Sequence, residues 1–567
     1  MPGGLLQLVG RGAQDQLITG NPSYTQFRSV YKRHTDFAME SFRLYFKTSI
    51  LSFPISGTLT MRTKVERFAQ LISDCYLSIT LPDIYSPVVP NSPPPGFNTN
   101  SNATPYEFQW VRNIGYNMIN HVSVLINGQE LVRHTGEWMK IYANLQFDAN
   151  KRAILDRMVG NLPELYDPAN SNGRINQYPN AISTSTDLAQ PSIPGRVLQI
   201  PLHFWFCESI GKALPLVALQ YSEVEIVVEL NNAYTLFTTI DMNSTHTDNN
   251  ADGSGTYGTR VAPDQSNSLY QLSNFLSPPK YDTTPSIPGL ISWNLNPYIE
   301  ANYIFVSDEE MGYIARTDHS FLIKQVDLVR AGKQYGASND LELTMRNLCT
   351  RIIWLFQRDD IQNDPDNYTN WINPYKPPKL GSNPYSSGTV LASNISQRDI
   401  LLESSVILDT QERFATKQTE YFRDIQPYRF SSGNPIPGIY SYSFQLDNSD
   451  QPSGSLNGSM FNKTILRNTL IQPPYIPAPP MDPIPGPNRN QFCILKSTAG
   501  NANPTVVDPT ALDQYGKLLY RPDEVITIFR KAPNAGVYTY TYNVNAYTES
   551  YNFLRIIGGI GNVVFSS

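Results

Sequence analysis

The sequence predicts an all-β protein made of two large antiparallel domains, and three observations point there. Segments that alternate apolar and polar residues recur from end to end, helical rhythm is rare and short, and long polar stretches separate the strands in both halves. The chain has 567 residues. About 150 residues per domain implies more than two domains, but all-β barrels run to roughly 250, so two are expected.

The strands justify themselves in order. Cys75, Leu77, Ile79 and Leu81 alternate with Tyr76, Ser78 and Thr80, the period of a strand with one buried face. Between Tyr221 and Leu230, Val224, Ile226, Val228 and Leu230 share one side, with Glu223, Glu225 and Glu229 on the other. Tyr440, Tyr442, Phe444 and Leu446 repeat the pattern, as do Tyr538, Tyr540, Tyr542 and Val544. Val122–Ile126 and Gln129–Val132 flank Asn127-Gly128, a pair that tolerates the two positive φ angles of a type I′ turn, so a tight hairpin is expected there. Helical rhythm is confined to Tyr24, Phe27, Val30 and Tyr31 after Asn21-Pro22, to Glu137–Phe147 and to Lys151–Leu165. A charged, helix-like segment, Ser307–Thr317, separates strand-like Ala301–Val306 from Phe321–Val326 and is the clearest boundary. Polar stretches at 82–105, 167–195, 231–288, 359–396 and 472–503 read as decoration on a rigid scaffold. No internal repeat can be aligned by eye.

Composition narrows the function. Hydrophobic residues make up 40%, enough for a large core, while only 16% are charged; soluble domains average about 25%, so much of the surface is neutral or buried in contacts. Tyrosines (34) outnumber phenylalanines (25), as suits strands and interfaces. The net charge of −6 argues against wrapping a genome, which needs a basic surface. Cys75, Cys207, Cys349 and Cys493 are scattered without metal-ligand spacing and read as buried free thiols. The first ten residues carry no basic segment and too short an apolar run for a signal peptide, and no run of about 18 apolar residues occurs, so assembly on the cytosolic side is expected.

Catalytic and cofactor motifs are missing or out of context. Gly253-Ser-Gly-Thr-Tyr-Gly258 fits a dinucleotide fingerprint, but it follows a polar loop and precedes no helix. Six histidines (34, 121, 134, 203, 246 and 319) show no ligand spacing; His121 and His134 flank the hairpin and are expected to face one another as a satisfied cross-strand pair. Asp359-Asp360 and Glu309-Glu310 read as solvated charges. No cofactor, metal or enzymatic activity is expected.

Gly3-Gly-Leu-Leu-Gln-Leu-Val9, Gly12-Ala-Gln-Asp15, Leu17-Ile-Thr-Gly-Asn-Pro22, Val30-Tyr-Lys-Arg-His-Thr35 and Phe37-Ala-Met-Glu40 closely resemble the opening of the major capsid proteins of nucleocytoplasmic large DNA viruses. Ordered matches continue through Ile200–Cys207, Ala213–Tyr221, Ala301–Phe305, Ile353–Gln357, Ile425–Tyr428, Ile436–Phe444, Gln451–Ser455 and Tyr551–Gly561. Departures lie mostly in the loops, with Asn347–Arg351 and Gly10-Arg11 standing where the family usually has other residues.

This resemblance implies two consecutive eight-stranded antiparallel jelly rolls, a form known from viral capsids. The chain would divide into an arm at 1–25, a first jelly roll at 26–308, a linker at 309–318 and a second jelly roll at 319–567. It also implies homotrimers of nearly hexagonal outline that tile an icosahedral shell, with neighbouring capsomers and minor capsid proteins as partners, an internal viral membrane as a further contact, and no direct genome binding. Leu5, Leu6 and Leu8 would extend as an arm beneath a neighbour. Arg28, Lys32 and Arg33 are either a solvated helix end or an inward-facing contact with minor capsid proteins or an anionic membrane. Glycans occur on outer loops of some relatives, which makes the sequons at Asn102, Asn243, Asn367, Asn394, Asn457 and Asn462 candidate glycosylation positions, although most fit chance matches in Asn-rich loops. Two rival functions are a penton- or fiber-type minor capsid protein and a carbohydrate-binding or glycosidic β-sandwich, the latter requiring two acids facing across a cleft.

Overall fold

The structure is a computed structural model that describes residues 3–47, 52–53, 57–86, 107–175, 177–181, 190–240, 260–261, 263, 271–278, 293–336, 338–359, 365–370, 399–447, 451–471, 491–495, 506–507, 513–514, 517, 525–529 and 541–565. Eight strands organise the first half: β1 (Phe37–Tyr45), β2 (Leu59–Lys64), β3 (Leu71–Leu81), β4 (Ile119–Ile126), β5 (Gln129–Thr135), β6 (Arg196–Pro201), β7 (Val224–Leu230) and β8 (Tyr298–Val306). They form two sheets, ordered β1-β8-β3-β6 and β2-β7-β4-β5, with every pairing antiparallel. First lies beside last, second beside seventh, third beside sixth and fourth beside fifth. A long antiparallel hairpin rolled up across its length has this order.

The second half repeats it. Strands β9 (His319–Gln334), β10 (Asn339–Leu343), β11 (Leu348–Arg358), β12 (Leu401–Leu408), β13 (Gln411–Glu412), β14 (Ile439–Ser443), β15 (Thr464–Leu470) and β16 (Tyr542–Ile557) form sheets β9-β16-β11-β14 and β10-β15-β12-β13. Adding eight to each label of the first barrel reproduces the order. The repeat escapes alignment because it lives in topology: strands need period and burial, and many residues supply both.

The sheet β9-β16-β11-β14 is covered on both faces. Along β11, Ile352, Trp354 and Phe356 join the core of the second barrel, while the intervening Ile353 and Leu355 join the core of the first. Tyr547, Leu554 and Ile556 of β16 and Ile323 of β9 also enter the first core. An unbroken apolar run such as Ile352–Phe356 is what a strand with two buried faces requires. The two barrels therefore share a buried apolar face.

Helices differ from expectation in two places. Residues 24–31 are not helical, and residues 3–41 are all exposed, so the apolar stripe expected there stands open. Before it, α1 (Gly3–Val9) and α2 (Ala13–Thr19) are single short helices without a buried residue. The expected helix at 137–147 is α3 (Gly136–Gln146), capped by the Thr135 side chain, which accepts from the Trp138 amide at 3.1 Å. Lys151–Leu165 is broken: α4 (Ala149–Val159) ends at Gly160, and a separate turn starts at Pro163, whose ring cannot continue the ladder. The charged segment 307–317 holds α5 (Asp308–Arg316). The strand expected from Tyr221 starts at Val224, and Tyr538 and Tyr540 lie outside the described residues.

Gly136, where α3 begins, is fixed by close approach. A Cβ there would lie 2.0 Å from the Tyr116 carbonyl oxygen and 2.5 Å from that of Ile119. Gly136→Ala is expected to destabilise the protein by about 1–3 kcal/mol through displaced backbone, read as a lowered urea midpoint at unchanged m value.

Candidate functional site

The hairpin turn is as expected, with Asn127 at φ 52° and Gly128 at φ 80°. The histidines beside it are not. Leu131 is bulged out of register, so that Val124 faces Val132 while Leu125 faces Glu130, and beyond the bulge Val122, not His121, faces His134. A shift of one residue turns a side chain to the other face of the sheet. His121 lies against Arg133, 3.2 Å from its Nδ1, and burial and that guanidinium lower its pKa against the pull of Glu229. His134 faces the core, its ring 4.1 Å from Trp138 and 5.9 Å from Phe204. Close by, His203 holds its Nε2 2.8 Å from the Tyr116 hydroxyl and packs on Tyr142 and Phe147. Burial drives both of these histidines down to about 3.

Helix α3 is the hub between the barrels. Trp138 and Tyr142 stack toward the two core histidines. Lys140, 2% exposed, forms a buried ion pair with Asp366 of the second half. The same carboxylate accepts from Asn113 Nδ2 at 2.5 Å and Asn117 Nδ2 at 3.2 Å, and the Lys140 ammonium sits 5.0 Å from the Tyr368 ring centre. Glu137 accepts from Asn545 Nδ2 (2.8 Å) and the Tyr547 hydroxyl (2.5 Å) of β16. The bulged Leu131 offers its carbonyl to Gln325 of β9 at 2.7 Å. At the far side, the Tyr221 and Gly561 amides donate to the Gly559 carbonyl (3.0 Å) and the Ser222 hydroxyl (3.1 Å), respectively. Within the second barrel, Arg351 and Glu549 form a bidentate buried pair across β11 and β16 at 3.0 and 2.9 Å. Apart from the Arg351–Glu549 pair, these contacts cross between the halves and join them into one block. Sequence reading missed the joint; a lysine inside the apolar run Trp138-Met-Lys-Ile141 was its one visible signal.

The arm residues stand apart from this block. Leu5, Leu6 and Leu8 are 47–62% exposed. Arg28, Lys32 and Arg33 are also exposed and lie on irregular backbone rather than at a helix end. Phe27 is 99% exposed, and Tyr24, Val30 and Tyr31 stand open beside it. The edge strand β1 continues this surface with exposed Phe37, Met39 and Tyr45, and its backbone ladder is with β8. Among the sequons, Asn102, Asn243 and Asn394 lie outside the described residues. Asn367 accepts from the Thr369 amide at 3.2 Å, and Thr369 is buried. Asn457 and Asn462 are exposed. Among the described residues, no three of His, Cys, Asp or Glu gather as a metal site, and no helix is long and apolar enough to cross a membrane.

Comparison with known proteins follows the same division. Residues 25–267 match a family model described as the major capsid protein N-terminus, and residues 310–473 match one described as the large eukaryotic DNA virus major capsid protein. The chain belongs to the major capsid proteins of large DNA viruses. The major capsid protein of Paramecium bursaria Chlorella virus 1 is 24% identical, with both chains covered completely. That of Phaeocystis pouchetii virus is 27% identical, covering 83% of this chain and 93% of its own. Among solved structures, the chain in a quasi-atomic model of the PBCV-1 capsid superposes with a TM-score of 0.58 at 19% identity, covering 96% of this chain and all of that one. The Faustovirus major capsid protein gives 0.55 at 13% identity, covering 98% and 96%. The fold is thus the double jelly roll of viral capsids, as the resemblance implied. As a family member the chain is a structural component of the virion capsid, not an enzyme.

Proposed function

We propose that three copies of this chain close into a pseudo-hexagonal capsomer that tiles the icosahedral shell of a large double-stranded DNA virus, assembled in the host cytoplasm. The carrying observation is that one strand order occurs twice in a chain whose halves share a core. Two similar barrels rigidly joined give three-fold symmetry six nearly equal sides, and a closed three-fold ring fixes its own size. In this reading the chain divides into an arm at 1–25, barrels at 26–308 and 319–567, and a linker at 309–318. Weak contacts between capsomers add over the lattice.

The arm supplies the inner contacts. Leu5, Leu6 and Leu8 tuck beneath a neighbouring subunit, and Arg28, Lys32 and Arg33 meet minor capsid proteins or the anionic headgroups of an internal membrane. The exposure of the arm supports this, since a terminus gains order from whatever ties it down. A net charge of −6 argues against direct genome binding.

Purified protein is expected to sediment at three times the mass of the 63.8 kDa chain and to stay so on dilution, because stable interfaces of this kind exceed about 1,000 Å². Negative-stain images should show three-lobed hexagonal blocks. A folded monomer that persists at working concentration would overturn the trimer.

A further inference from the structure

We propose that Cys75 and Cys207 are a dithiol built to close into a disulfide, a covalent lock that pins the turn after β6 onto β3. Cys75 lies in the interior of β3 and is 1% exposed. Cys207 ends a short turn, Trp205–Cys207, that follows β6 and returns to β3, and it is half-buried. The chain reaches that turn directly from the pairing of β6 with β3: Leu202 donates its amide to the Cys75 carbonyl at 3.1 Å. Both thiols aim at one acceptor, the Ser73 carbonyl, with Cys75 Sγ at 3.7 Å and Cys207 Sγ at 3.5 Å. The Ser73 carbonyl is available because the register of β3 against β8 shifts between Ile72 and Cys75. A shared acceptor brings the two sulfurs to one place on β3, as a bridge between them requires.

The asymmetry of exposure sets the order of steps. Cys207, the accessible thiol, loses its proton to solvent and attacks one sulfur of a small disulfide oxidant such as oxidised glutathione. One S–S bond breaks, a mixed disulfide forms on Cys207, and one glutathione leaves as thiol. Cys75 then loses its proton and attacks the Cys207 sulfur, releasing the second glutathione; two protein thiols have been oxidised and one glutathione disulfide reduced. The neighbouring Cys207 side chain and burial both hold the Cys75 thiol well above its ordinary pKa. Only a small fraction is thiolate near neutrality, so the second step is slow and quickens as pH rises. Cys349, buried in the second barrel, has no such partner role in the lock.

The test treats the full-length protein with oxidised glutathione at pH 8 and maps non-reduced peptides by mass. The expected product is an intramolecular Cys75–Cys207 bridge with two hydrogens lost, while Cys349 remains a thiol. The bridged protein should melt a few degrees higher than the reduced form, because the bond closes a long loop in the unfolded chain. Cys207→Ser should show neither bridge nor shift, and Cys75→Ser should retain glutathione on Cys207. Wild-type protein that keeps glutathione on Cys207 without bridging, keeps both thiols free, or bridges other cysteines would overturn the proposal whether or not the variants fold.

Discussion

Asp366→Ala is expected to cost about 3–5 kcal/mol of stability, the penalty of stranding one member of a buried ion pair. The Asp366 carboxylate is the shared acceptor of Lys140, Asn113 and Asn117, and it enters the first barrel from the second. Truncating it leaves a 2%-exposed ammonium and two amides without that acceptor. Lys140→Met should cost less, because the carboxylate keeps both asparagine donors. Asp340→Ala is the control: its bidentate pair with Arg467, at 2.8 and 2.9 Å, is 41–45% exposed, and surface pairs contribute about 0–1 kcal/mol. Urea unfolding of the three variants should rank Asp366→Ala well below Lys140→Met, and Asp340→Ala near wild type. If Asp366→Ala behaves like Asp340→Ala, the joint is not held by this node, and the shared apolar face alone joins the barrels.

Much of this architecture can be read in the chain because it rests on local period. Val224, Ile226, Val228 and Leu230 alternate since one side of β7 must be buried, and Asn127-Gly128 marks its turn by the φ angles those residues tolerate. What is not legible depends on partners far away in sequence. Nothing around Leu131 announces a bulge, and that one extra residue sends His121 and His134 to opposite faces. The stripe at Tyr24–Tyr31 has helical spacing, yet it stands exposed along its length and is not helical. Asp366 sits in a polar stretch that reads as surface decoration, yet it is the residue that docks one barrel on the other. The exposed arm shows the same limit, since Leu5, Leu6, Leu8, Arg28, Lys32 and Arg33 have chemistry but are not covered by any of the described residues.

Acid should loosen the block well before the carboxylates titrate. His134 and His203 are both held neutral, burial lowering each to about 3, while in the unfolded chain they titrate near 6.5. The folded values lie below the unfolded one, so stability is complete above pH 6.5 and falls with pH through the interval down to 3. By pH 5 the loss amounts to about 2 kcal/mol for each ring. The surroundings offer little relief. Among the described residues His134 Nδ1 has no hydrogen-bond partner, so a second ring proton there would be a buried donor without an acceptor, and the Leu202 backbone is only a partial offset. Around His203 stand Tyr116, Tyr142, Phe147 and His134, with Lys151 adding repulsion and Asp156 acting on Tyr116. Both rings pack against aromatic residues of α3, the helix whose Lys140 and Glu137 hold the second barrel, so protonation strikes the joint as well as the first core. His134→Phe keeps the stack on Trp138 and Phe204 without a titrating group. Urea midpoints measured at pH 7.5, 6 and 5 should fall steeply for wild type and less steeply for the variant, in which His203 and His121 still titrate. Equal slopes would mean that another group carries the acid sensitivity and that the rings can accept protons in place.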